Sequence, residues 1–86
     1  MNNYVGLLDK IRVIKKQPLL VRFTLQTIHE SINCIVADIE IIDKLLIMED
    51  GKYNIAVTGH FNKRNQLVVS SMVVRNPNHF ARSMGI

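Results

Sequence analysis

Three histidines, one cysteine and a handful of carboxylates are the side chains of this 86-residue chain with the chemistry to hold a metal or attack a substrate. His29, His60 and His79 stand far apart, with none of the short spacings by which turns and helices hold zinc, so solvated histidines and no metal site are expected. Cys34 lies in the apolar run Ile32–Val36. With no activating base beside it, such a thiol fills space rather than acting as a nucleophile. A lone cysteine also leaves no internal disulfide and no zinc site built from several thiolates. Asp38, Glu40 and Asp43 read as a solvated face, and no Gly-rich phosphate loop, serine elbow or pair of catalytic carboxylates stands out. The expectation is a protein that is not an enzyme and takes no cofactor, in a reducing, cytoplasmic setting. A secretory leader and an apolar run of membrane-spanning length are both missing from the pattern, so no membrane partner is expected.

The cations carry a clearer signal. The net charge is +4, and its distribution is uneven. Residues 1 to 22 hold Lys10, Arg12, Lys15, Lys16 and Arg22 against Asp9, while residues 51 to 86 hold Lys52, Lys63, Arg64, Arg75 and Arg82 with no acid. Between them Glu30, Asp38, Glu40, Asp43, Glu49 and Asp50 face only Lys44. A polyanion should therefore meet the two ends of the chain and avoid its middle. The competing reading is that polar turns carry charge for solubility and to block edge pairing.

The elements that must position these residues follow from periodicity. Val5 to Ile14 partly alternates, and Gly6 with Leu7-Leu8 breaks the period as a bulge would. Lys15-Lys16-Gln17-Pro18 breaks the run, and Leu19 to Thr27 then alternates, with Val21, Phe23 and Leu25 inward and Arg22, Thr24 and Gln26 outward. A turn at His29-Glu30-Ser31 leads to a third strand over 32–37, with Ile32, Cys34 and Val36 on one face. Asp38 changes the period: Ile39, Ile42, Leu45 and Leu46 fall at helical spacing, and Asp50-Gly51 closes the segment. Because Ile39, Ile41, Ile42 and Ile47 are β-branched, a strand continuing from Val36 is the alternative. Tyr53, Ile55, Val57, Gly59 and Phe61 alternate in a fourth strand. After the turn Asn62-Lys63-Arg64-Asn65, a fifth runs from Gln66 to Arg75 with a bulge at Ser70-Ser71. Asn76-Pro77-Asn78 ends it, leaving one domain over 1–76 and a tail over 77–86.

Three strands, a helix and two strands is the order of a five-stranded OB β-barrel (β1-β2-β3-α-β4-β5), in which the helix plugs one open end. Within that order, the segments Val21–Leu25, Ile32–Val36, Glu49–Phe61 and Gln66–Val69 resemble the nucleic-acid-binding OB family of the tRNA-anticodon type, found in replicative polymerases, replication protein A and class II aminoacyl-tRNA synthetases. The resemblance covers residues 4 to 75. It implies a site for single-stranded DNA or RNA across strands two and three, at Arg22, Thr24, Gln26 and Asn33. It also implies flanking contacts from Lys15-Lys16 and from Asn62, Lys63, Arg64 and Asn65, and the expectation is that these two cationic turns meet beside one groove. Phe23 and Phe61 fall inward by this register, which leaves Tyr53 and His60 as the candidates to stack on bases. The role expected is an accessory factor in DNA replication, repair or mobile-element maintenance.

A second expectation competes with the first. Ile39, Ile41, Ile42, Leu45, Leu46, Ile47 and Met48 cannot all face inward. Their surplus, with Met72, Val73 and Val74, would make a docking surface for a protein partner or a homodimer.

Overall fold

The computed structural model describes residues 1–75; the expected tail over 77–86, with His79, Phe80 and Arg82, lies outside them. Five strands close into a barrel in the order β1-β2-β3-β5-β4. They are β1 (Asn2–Lys16), β2 (Leu19–Gln26), β3 (Ser31–Val36), β4 (Tyr53–Phe61) and β5 (Leu67–Val74), and a single helix, α1 (Ile39–Leu45), lies between β3 and β4. This is the OB-type arrangement.

Closure depends on β1, whose fifteen residues serve two neighbours. Asn2 to Leu8 pair with Gly59 back to Tyr53 on β4, and Leu7 to Lys16 pair with Gln26 back to Leu19 on β2. Where the strand passes from one partner to the other, the Gln26 carbonyl lies so close to Gly6 that any Cβ would overlap it. The bulge expected at Gly6–Leu8 falls later instead: the register shifts between Asp9 and Arg12, with Lys10 at φ 52°, and again between Val13 and Lys15. Gly6 thus supplies close approach, and the extra residues supply the bend.

Alternation fills the interior. Leu8, Val21, Phe23, Leu25, Ile55 and Leu67 are fully buried, each contributing about 1.5–3 kcal/mol of hydrophobic stabilisation. Opposite Gly59 the strand β5 bulges at Ser70, since Thr58 pairs with Ser71 but Gly59 with Val69. That bulge was legible in the Ser70-Ser71 interruption.

The segment after Asp38 is helix, not a continuation of β3, because the Asp38 carboxylate accepts from the backbone N–H of Glu40 at 2.9 Å and of Ile41 at 3.2 Å. The helix has seven residues, about two turns, and buries Ile41, Ile42 and Leu45. Ile39 is 57% exposed and Leu46 50%, part of the apolar surplus that cannot all face inward. Seven residues offer the barrel mouth a single narrow stripe, and the first helical residue and the C-cap project past it.

Direction matters most for the site. β3 and β5 run parallel, with Cys34 beside Leu67 and Ile35 beside Val68, and the other pairs run antiparallel. The helix and the β1–β2 hairpin therefore share one end of the barrel, and the β2–β3 and β4–β5 turns share the other. At this second end Tyr4 meets Phe61 edge-on, with ring centres 6.1 Å apart and planes at 74°, and both rings pack against the core. No helix among the described residues is long and apolar enough to cross a membrane.

Candidate nucleic-acid interface

Strand register, more than any local motif, assembles the outer face. Arg12 on β1 pairs with Arg22 on β2, Arg22 with Ile35 on β3, Ile35 with Val68 on β5, and Val68 with His60 on β4. Paired residues share a face, so these five side chains form one row across the outside of the barrel. At about 4.8 Å per strand the row follows the curved outer surface for roughly 19 Å, round most of the closed barrel. Arg12, Arg22 and His60 are exposed, and Ile35 and Val68 are half-buried. The row thus has two guanidinium groups at one end, an apolar bed in the middle and an imidazole at the other end. The β1 bulge is what brings Arg12 level with Arg22, since it skips Lys10 and Ile11 in the pairing.

Cations extend both ends of this row. Lys15 pairs with Leu20 and so lies on the face of Arg22, whereas Lys16 pairs with Leu19 on the face of Val21. Beyond His60, the β4–β5 turn carries Lys63 and Arg64, both exposed. The two cationic turns do not come together as the sequence reading expected. They belong to opposite ends of the barrel and bracket the row between them, because the parallel pairing of β3 with β5 sends the β4–β5 turn away from the β1–β2 hairpin. Among the described residues the one ion pair is Lys52 with Glu49 at 2.7 Å, so Arg12, Arg22, Lys15, Lys63 and Arg64 are not neutralised by an ion pair there.

The β4–β5 turn is rigid by its own chemistry. The Asn62 side-chain oxygen accepts from the backbone N–H of Arg64 at 3.0 Å and of Gln66 at 2.9 Å, while its amide nitrogen donates to the Gln66 side chain at 3.0 Å. Asn65 takes φ 59°, a left-handed conformation that asparagine tolerates, and donates its N–H to the Asn62 carbonyl. Asn62 therefore shapes the turn with an amide that is already engaged. Across the same end, Thr27 organises the β2–β3 turn: its hydroxyl accepts from the N–H groups of His29 and Glu30 and donates to the Glu30 carbonyl.

Other residues expected on the face are placed differently. Thr24 is buried, with 7% of its surface exposed, because the central strand β2 sets it between Asp9 of β1 and Asn33 of β3. Tyr53 is half-buried against the core at the helix end of β4, since it continues the inward set of Ile55 and Val57. Gln26 is half-buried, and its side-chain oxygen accepts from the Ser31 hydroxyl at 2.7 Å. Asn33 is exposed, as is His60. Phe23 is in the core as expected, but Phe61, read as core, is only half-buried and lines a cleft with Asn33. Arg12, Ile35 and Val68 were missed as parts of the face; a signal for them exists only in the register.

Cys34 is fully buried, and burial pushes its thiol up to about 12, which keeps it protonated and inert. Among the described residues no group of three or more His, Cys, Asp or Glu side chains is placed to hold a metal ion.

No protein-family model matches the chain, and no curated protein matches it in sequence.

Proposed function

We propose that this chain is a non-catalytic OB-type barrel that binds single-stranded DNA or RNA across its outer β2–β3–β5 face. The observation that carries the reading is the cross-strand row Arg12–Arg22–Ile35–Val68–His60, bracketed by Lys15 and by the Lys63-Arg64 turn. Phosphates of a single strand would meet the cations at both ends, and bases or sugars would lie on the apolar middle. Single strands are favoured over duplex because the half-buried apolar middle of the row can contact unpaired bases, which a duplex keeps stacked inside. An aliphatic bed replaces the aromatic platforms that give such proteins about 1–3 kcal/mol per stacked base, so affinity rests mainly on phosphate contacts.

Fluorescence anisotropy with labelled single-stranded and duplex oligonucleotides over a range of salt tests this. Binding should favour the single strand and weaken steeply with salt, each phosphate contact adding about −0.7 to the log–log slope. Lys63→Ala/Arg64→Ala should flatten that slope, by about 1.4 if both side chains engage phosphate. Absence of binding at low salt would defeat the reading.

A second reading is favoured by a specific feature. Val5, Ala56 and Val73 form an outward row over β1, β4 and β5, with Val5 55% and Val73 59% exposed. Leu46 and Ile47 at the helix end are exposed as well. Such apolar surface suits a protein partner or a second copy. Light scattering on the same sample separates the two, since this reading requires an oligomer or a captured partner and indifference to oligonucleotides.

A further inference from the structure

At the end of the barrel away from the helix, a cleft of about 110 Å³ opens between the β2–β3 and β4–β5 turns, lined by Glu30, Ser31, Ile32, Asn33, Phe61 and Asn65. It lies below the roughly 300–1,000 Å³ of pockets for drug-sized molecules and is of the scale of one planar ring. Contacts order the frame of the cleft, and the side chains of Glu30, Asn33 and Asn65 are exposed on it. Phe61 is held edge-on by Tyr4, the backbone of Glu30 is tied at both N–H and carbonyl to Thr27, and the Asn65 N–H is tied to Asn62.

Three side chains at this cleft have hydrogen-bonding capacity to offer. The Ser31 hydroxyl is already engaged with Gln26, but the Glu30 carboxylate and the amides of Asn33 and Asn65 make no hydrogen bond among the described residues. A carboxylate only accepts, whereas each amide both donates and accepts. Glu30 is also the only carboxylate in the two turns, and it stands across from the Lys63-Arg64 turn where a phosphate would sit. An acid placed beside an anion-binding turn lowers overall affinity for polyanions. Its compensation is selectivity.

We infer that this cleft is a base-reading pocket that admits cytosine and disfavours thymine or uracil. Cytosine presents an exocyclic amine, which donates to the Glu30 carboxylate, and a ring nitrogen and carbonyl, which accept from the Asn33 and Asn65 amides. Thymine and uracil put a carbonyl where that amine stands, so two acceptors would face each other across the cleft. The Phe61 ring supplies an apolar wall for the base. This inference rests on the single-strand reading above and adds a base preference to it.

The test compares labelled oligo-dC and oligo-dT of equal length, at slightly alkaline pH to keep cytosine unprotonated, on wild type and Glu30→Gln. Wild type should bind oligo-dC tighter by roughly tenfold. In Glu30→Gln the difference should collapse, because an amide can turn to offer a donor to thymine, and affinity for oligo-dT should hold or rise. Equal affinity in wild type, or a preference for oligo-dT, overturns the pocket and leaves the single-strand reading standing. A preference for oligo-dC that survives Glu30→Gln unchanged likewise overturns it. Failure to bind either oligonucleotide overturns both.

Discussion

A single side chain, Cys34, shows how position fixes chemistry. Its thiol is surrounded by β2 and β5, where the charged form has no solvation, so the folded chain holds its proton past the 9.0 of an ordinary thiol, up to about 12. The linkage has a definite sign. Above pH 9.0 the unfolded chain releases this proton while the folded one keeps it, so the contribution is complete below that value and is lost as pH climbs toward 12. Urea midpoints followed from neutral pH upward should therefore fall more in wild type than in Cys34→Ala, which lacks the group; identical pH dependence would contradict the burial argument. At the same scale the sequence was informative for the core and less so for exposure. Cys34 and Phe23 were read as core from alternation alone, but Thr24 alternates outward and is still buried, because both its neighbours are strands. Local pattern gives the face of a residue, and only the sheet gives its cover.

Elements were legible where one rule acted without interference. β4 follows strict alternation from Tyr53 to Phe61 and matches its expected bounds, and the exit from β3 into α1 was marked by Asp38. The β1 bulge was misplaced, because Gly6 breaks the period for a different reason, the close passage of the Gln26 backbone. The consequence reached the site: without the shift between Asp9 and Arg12, the guanidinium of Arg12 would not stand beside that of Arg22. A comparable close approach controls the junction of β4 and β5, where the Ser70 bulge sets the Val68 carbonyl against Gly59. Gly59→Ala should cost about 1–3 kcal/mol in denaturant unfolding through this overlap. A loss of a few tenths would mean that β5 gives way freely.

Across the whole molecule the charge pattern takes a form that the sequence only half disclosed. The acids of the middle segment gather on and after α1, at the helix end, as Asp38, Glu40, Asp43, Glu49 and Asp50. The β4–β5 turn with its cations lies at the opposite end, so the electrostatic field favours a polyanion there and along the outer row. What the sequence could not convey was direction, since the parallel pairing of β3 and β5 is a long-range fact that no local period encodes. It separates the two cationic turns and turns an expected shared groove into a bracketed track. Backbone amide NMR of the labelled protein, titrated with a single-stranded oligonucleotide, tests that track most directly. The account expects the largest shifts at Arg12, Arg22, Ile35, Val68 and His60 and in the turn at Lys63 and Arg64, with α1 undisturbed. Shifts confined to α1 and the Val5–Ala56–Val73 row, or none at saturating oligonucleotide, would contradict it.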